Sequence, residues 1–467
     1  MATVAGTGLD AAAVEALRAA VRGALLRPGD ADYDAARRVW NGMIDRRPAL
    51  IARCAGAADV IKGVAFAREH GLLVAVRGGG HNVTGNAVCD DGLMLDLSPM
   101  KGIRVDPARL TVRAEAGVTW GELDRETQAF GLATTGGQVS TTGIAGLTLG
   151  GGIGWLMRKY GLAIDNLLSA DVVTADGRLL TASADENPDL FWGIRGGGGN
   201  FGVVTSFEYR LHRVGPMITG GMALYPAARA AELLRFFRAL TADAPEDLNV
   251  VLAFLTAPPA PFVPPELVGT PLVGFALGHL GTPEEGQVAI ERIRAFGAPA
   301  IDLLGPMPYT ALQSMTDGAL PFGLRVYLKS SHLTGLDDAL IDTVVRQMQA
   351  VTSPLSQVVI VPLGGAVARV ADDATAFGRR DTPYDIVVFS VWTEPGEDER
   401  HMRWGRDFGE AVRPFARGVY VNEMGVEGEE RVREAYTPAT YRRLAALKRT
   451  YDPDNLFRLN QNIAPAG

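Results

Sequence analysis

One imidazole ends a glycine run in this chain: Leu72-Leu73-Val74-Ala75-Val76 is followed by Arg77-Gly78-Gly79-Gly80-His81-Asn82. Successive backbone N–H groups in such a loop can turn toward a single anion. A histidine at the tip of three glycines is open to a partner that comes close, and His81 is one of only six in the chain. Uncharged imidazole is a ligand, a base and a nucleophile. A second glycine-dense stretch reads Thr141-Thr142-Gly143-Ile144-Ala145-Gly146-Leu147-Thr148-Leu149-Gly150-Gly151-Gly152-Ile153-Gly154-Trp155, then Arg158-Lys159-Tyr160-Gly161-Leu162. Glycines at this density cost backbone entropy on folding, and a folded chain keeps them where something approaches the main chain closely. The two stretches suit a planar, phosphate-bearing cofactor, a flavin dinucleotide best of all. That points to redox chemistry.

A formal GxGxxG occurs at Gly197, Gly199 and Gly202, but its context is wrong for a Rossmann site. That fingerprint follows a strand and opens a helix. Here a helix-like stretch, Pro188 to Ile194, precedes it and the strand-like Val203 to Tyr209 follows. No GK[ST] occurs, which excludes a P-loop.

Segment Val74 to Asp96 resembles the covalent-FAD motif of the vanillyl-alcohol oxidase superfamily, in its berberine-bridge-enzyme-like branch. The likeness runs on through Gly143 to Asn166, through Phe191 to Phe207, and through Tyr451-Asp452-Pro453-Asp454-Asn455 to Asn460-Gln461-Asn462. It implies an α+β fold: a PCMH-type FAD-binding domain of two α+β subdomains, with a substrate domain whose antiparallel sheet is backed by helices. It further implies FAD bonded covalently to His81. Relatives with a second link carry a cysteine at what aligns with position 139; Val139-Ser140 here implies His81 alone. By the same resemblance the backbone of Arg77, Gly78, Gly79, Gly80, His81 and Asn82 holds pyrophosphate. Gly137, Thr141, Thr142, Gly143 and Gly146 line the ring and dinucleotide, Gly152 and Val204 lie on the adenine side, and Asn460 and Asn462 face the ring or ribityl chain. Thr142 takes a position linked to oxygen access. Trp155, Arg158 and Tyr160 read as packing and salt-bridge residues.

Oxidation of a C–H beside an O–H or N–H sends a hydride to the flavin and needs an acceptor for the heteroatom proton. Tyr420-Val421-Asn422 resembles the family's Tyr-x-Asn. If extended, this segment puts both side chains on one strand face. A tyrosine acts as a base only where neighbours stabilise its phenolate. Glu423 follows where many relatives have an aromatic. Some relatives place a carboxylate just before a Gly-Gly on a central strand, yet nothing from Val351 to Ala371 is acidic. Gln357 on that stretch is a substrate-binding candidate at most. Tyr327, Ser331, His332, Phe377, Arg379 and Trp392 are the other polar or aromatic candidates on the substrate side, with His332 kept in view as a second acid–base group. The expectation is oxidation of an alcohol or amine of a small molecule, a sugar or secondary metabolite, with O2 as acceptor and H2O2 released. The alternatives are a flavin dehydrogenase using another acceptor and a non-catalytic flavin-binding protein.

The elements that must position these residues follow from pattern. Ala57 to His70 and Thr119 to Phe130 read as amphipathic helices, and Leu72 to Val76, Leu93 to Leu97 and Leu110 to Ala114 as strands. Asp176-Gly177 makes a hairpin of Ser169–Thr174 with Arg178–Leu180. Asp10 to Leu26 reads as a helix. Beyond Pro216, strands at Ser356–Val361 and Ile386–Trp392 alternate with helices at Ala227–Leu240 and Gly335–Val351, and the proline-rich 257–265 is a loop. A helix through Tyr441–Tyr451 leads into an extended end. At 467 residues two domains are expected: FAD binding over 1–215 (core 46–215), substrate binding over 216–410, and a segment 411–467 returning to the first. A net charge of -8 argues against nucleic acid as partner. No apolar run approaches the ~18 residues of a membrane span. Cys54 and Cys89 form neither a disulfide framework nor a metal set, and with no apolar leader the reading is cytoplasmic. Nothing in the sequence sets the oligomeric state.

Overall fold

The computed structural model describes residues 9–425 and 427–467. Four sheets organise it. In the first, Leu50–Arg53, Leu93–Asp96 and Val74–Arg77 are parallel neighbours, with Leu25–Leu26 antiparallel at the edge. Its central strand is buried at every position, as expected of a parallel strand covered on both faces. Arg77 and Arg53 both pair in register with Asp96, which accepts from Arg77 Nη2 at 2.6 Å and Nε at 2.9 Å. Burial pushes the Asp96 carboxyl up, but the Arg77 guanidinium and the Ser98 donors outweigh it and hold it below the usual range. This buried ion pair anchors the strand end from which the glycine loop departs.

The second sheet is five-stranded and antiparallel, in the order Ile103–Asp106, Thr111–Glu115, Val203–Arg210, Leu167–Val173, Leu179–Ser183; its last two strands are the expected hairpin. A two-stranded sheet joins Leu132–Ala133 to His212–Arg213. The fourth sheet has eight antiparallel strands between Met217 and Trp392. One face packs on helices Ala230–Ala242, Asp338–Gln349, Asp398–Val412 and Pro283–Arg294. Along Leu248–Thr256 the period-2 rule is plain: Leu248, Val250, Leu252 and Phe254 enter this helix-backed core, while Val251 faces the main core. The inward face therefore meets the two smaller sheets.

Two expectations shift. The first helix stops at Ala20 and Leu25–Leu26 is a strand. Between them Gly23 lies so close to the strand at Arg53 that a Cβ would sit 1.8 Å from its carbonyl oxygen. Among the described residues Arg158 forms no ion pair; it donates to the carbonyls of Leu248, Leu363 and Ala244 at 3.0–3.1 Å, tying the glycine-rich segment to the large sheet. The tail returns by helix Pro438–Tyr451, whose buried Lys448 Nζ reaches Asn200 O, Asp452 Oδ2 and Phe457 O at 2.7–2.9 Å. Among the described residues no helix is long and apolar enough to cross a membrane.

Candidate active site

The two glycine stretches meet. A Cβ on Gly79 would lie 2.3 Å from the nitrogen of Gly143, and one on Gly143 would lie 2.4 Å from that of Gly79. Only glycine at both positions lets these backbones touch. Beside the junction runs a cavity of about 180 Å³, lined by six residues expected from sequence: Gly78, Asn82, Gly146, Val204, Asn422 and Asn460. Gly197, Gly199 and Gly202 line it too. The GxGxxG set aside as a Rossmann signal is thus part of the cradle, in a 3-10 turn (Gly198–Asn200) rather than at a helix start. A Cβ on Gly146 or Gly199 would meet nothing within 4 Å, so the backbone there is open to a ligand. Among the described residues the Oδ1 atoms of Asn460 and Asn462 are buried without a hydrogen-bond partner. Bare glycine backbone and orphaned amides fit a flavin dinucleotide.

His81 stacks on Trp40 (ring centroids 5.3 Å, interplanar angle 17°) and meets Phe322 edge-on. Its Nε2 lies 3.0 Å from Thr141 Oγ1. Burial lowers the imidazole to about 4. At neutral pH it is uncharged and keeps a lone pair, as a nucleophile toward an electrophilic cofactor carbon must. Gly80, at φ 73°, makes the turn that delivers it. Gly137 accepts from Gln313 Nε2 at 2.5 Å and packs on Leu147, and the Thr142 carbonyl accepts from Trp120 N at 3.0 Å.

Tyr420 and Asn422 do not alternate along a strand: Val421–Glu423 is a 3-10 turn. The turn nonetheless brings them together, with Asn422 Nδ2 donating to Tyr420 Oη at 2.7 Å and to Leu147 O at 2.9 Å. Gly152, expected near Val204 on the adenine side, instead gives its N–H to Tyr420 Oη at 2.8 Å. Burial pushes the phenol up while these two donors pull it down, and burial prevails. A Cβ on Gly150 would strike Asn422 Oδ1 at 2.1 Å. The seven-residue helix Ile144–Gly150, about 10 Å long at 1.5 Å per residue, thus joins the His81 junction to the Tyr420 turn.

The substrate-side candidates divide by sheet face. Tyr327 contacts Gly405, and Trp392 donates to Asp398 at 2.8 Å; both face helix Asp398–Val412, away from the glycine cradle. Alternation is the reason, and as substrate contacts both are corrected. His332 and Gln357 lie on the inward face: His332 pairs with Asp385, which pairs with Val361, and Gln357 shares the parity of Val361. Sequence reasoning missed Asp385. Its signal is a single carboxylate inside the apolar strand Tyr384–Trp392, out of phase with Tyr384, Ile386 and Val388 of the helix-backed core.

Comparison with known proteins supplies the class. A model of the FAD binding domain matches residues 48–183, and one described as berberine and berberine-like matches residues 419–464. An FAD-linked oxidoreductase of Dictyostelium discoideum is 34% identical over 450 residues, covering 95% of each chain. The (R)-6-hydroxynicotine oxidase of Paenarthrobacter nicotinovorans is 34% identical, with 96% of this chain and 98% of the relative covered. The crystal structure of 6-hydroxy-D-nicotine oxidase from Arthrobacter nicotinovorans superposes with a TM-score of 0.86 at 31% identity, over 96% of this chain and 98% of that one. The glycine cradle, the His81 loop and the returning tail are therefore those of a berberine-bridge-enzyme-like FAD-linked oxidoreductase, and the chain belongs to that family.

Proposed function

We propose that the chain is an oxidase that holds FAD through one covalent bond to His81 and oxidises an alcohol or amine of a small molecule, a sugar or secondary metabolite, with O2 as electron acceptor. One observation carries the reading. The helix Ile144–Gly150 joins a neutral, aromatic-stacked His81 at one end to the Tyr420–Asn422 turn at the other, along a glycine-lined cavity. The backbone of Gly78 to Asn82 would hold pyrophosphate, and Gly146, Val204, Asn460 and Asn462 the rest of the dinucleotide. Bound there, FAD would supply a hydride acceptor for the carbon bearing the heteroatom. Tyr420 and Asn422 would orient the substrate's hydroxyl or amine. The oxidase relatives named above support O2 as acceptor.

The test is a visible spectrum followed by acid precipitation of the purified protein. A yellow pellet, colourless in His81→Ala, is expected, as is peroxide release from a panel of alcohols and amines. Flavin left in the supernatant sinks the covalent bond. Bleaching without peroxide replaces O2 by another acceptor, and a coloured protein that no compound bleaches sinks the enzyme reading.

A further inference from the structure

Five buried polar atoms without an aligned hydrogen bond gather on the inward face of the large sheet: Asp385 Oδ1 and Oδ2, Glu423 Oε2, Ser330 Oγ and His332 Nδ1. A native interior leaves few such atoms, and each calls for a reason. His332 and Asp385 are direct cross-strand partners, 1% exposed each, with Nδ1 and Oδ1 2.9 Å apart but off hydrogen-bond alignment. Glu423 joins them from the turn that carries Tyr420 and Asn422. Among the described residues no Arg or Lys forms an ion pair with Asp385 or Glu423, although Arg431 acts on Asp385 and Arg379 on His332 from nearby, each with a buried Nε that has no hydrogen-bond partner. Arg431 is engaged by Glu427, Glu434 and the Ser330 carbonyl, Lys329 by Glu427 and Arg417 by Asp381.

Resting on the oxidase reading above, we propose that Asp385 and Glu423 act as one carboxyl pair, oriented by His332, that accepts the substrate's heteroatom proton, with Tyr420 as hydrogen-bonding neighbour rather than proton acceptor. The pair replaces the carboxylate absent from strand Gln357–Pro362, one strand over. Tyr420 is ill suited to accept that proton, because burial opposes its phenolate more strongly than the Gly152 and Asn422 donors stabilise it. In the step, the O–H or N–H bond breaks toward a carboxylate oxygen. Its electron pair becomes the new C=O or C=N bond as hydride leaves carbon for the cofactor. O2 takes up both electrons and both hydrogens, the second as the proton returned by the pair, and leaves as H2O2.

The titration of the site agrees. Burial pushes Asp385 up to about 7 against the lowering effects of Glu423, Ser330 and Arg431. Burial, then Asp385, drives Glu423 well above the carboxylate range. His332, which also faces Glu423, Arg379, Arg431 and Asp381, is lowered to about 4 by burial and stays neutral. As pH rises through about 7 the pair thus passes from two protons to one and comes to offer one carboxylate.

The experiment uses flavin-loaded protein and two variants, Asp385→Asn and Glu423→Gln, the visible flavin spectrum and the melting temperature of each native protein certifying that it folds and binds cofactor. Infrared difference spectra across pH 5–9 should show a protonated-carboxyl C=O band that titrates near 7 in the parent and is lost or moved in each variant. Anaerobic bleaching by panel compounds should accelerate as pH rises through about 7. In Asp385→Asn that limb should vanish, with a rate about 100-fold or more lower. A parent without the band, a band unchanged in both variants, or an intact limb in both overturns the proposal. These outcomes are independent of whether His81 holds the flavin, so failure of the pair and failure of the cofactor reading are told apart.

Discussion

In the proposed reaction His81 and Asp385 would become functional in two different ways. His81 depends on its neighbours in sequence, since three glycines present it and a strand launches it, so the role proposed for it is argued from the sequence alone. Asp385 becomes unusual only when strand pairing sets His332 opposite it and a turn 38 residues later brings Glu423. The pattern around it says merely strand. Its burial has a consequence for stability. The folded-state pKa of about 7 lies above the unfolded value near 3.8, so the native protein holds a proton that the unfolded chain releases between these values. This group therefore weakens the fold as pH rises from about 4 to about 7. His332 acts oppositely in sign: lowered to about 4, it withdraws stability as pH falls from 6.5 toward 4. Thermal midpoints of Asp385→Asn minus parent should accordingly climb with pH up to about 7 and then level off. Parallel curves would show that Asp385 is not a buried titrating acid.

At the scale of elements, the helix Ile144–Gly150 does the positioning, and its glycines divide by what they face. Gly143 meets backbone at 2.4 Å, which cannot yield cheaply, whereas Gly146 faces open cavity. Gly143→Ala should destabilise the protein with or without flavin. Gly146→Ala should leave the cofactor-free melting temperature unchanged or slightly raised, since alanine favours a helix by about 1 kcal/mol, yet lower the flavin bound per chain. Equal losses of stability in both variants would refute the division. The sequence showed this segment as glycine-rich but could not rank its glycines, because their neighbours come from other parts of the chain. The Tyr420–Asn422 turn is a similar case. The residue pair was legible, its strand geometry was not, and the bond between the two side chains arises because the turn folds onto Gly150 and Gly152.

Across the whole molecule, the glycine cradle and the large sheet are held in one arrangement by contacts that no local pattern announces. Arg158 donates to three carbonyls of the large-sheet region, and Arg380 grips Asp165 at 2.7 and 2.9 Å. Arg158→Met removes all three donors at once and leaves buried acceptors unpaired. A loss of at least about 3 kcal/mol is expected from the cost of such orphans, read by denaturant unfolding, with flavin retention reduced alongside. A change under about 1 kcal/mol would mean that water replaces the guanidinium. By itself the sequence determined the glycine-rich loops and the strands and helices with clear periodicity, because glycine runs and apolar alternation act over a few residues, and its motifs carried the resemblance to the family. Tertiary structure alone decided which sheet face meets the glycine-rich half, turning Tyr327 and Trp392 outward and His332 inward. It also recruited Gly197 to Gly202 to the cavity and gathered Asp385 with Glu423. Those outcomes depend on strand register and on burial shared among distant segments, and a one-residue change of register reverses them.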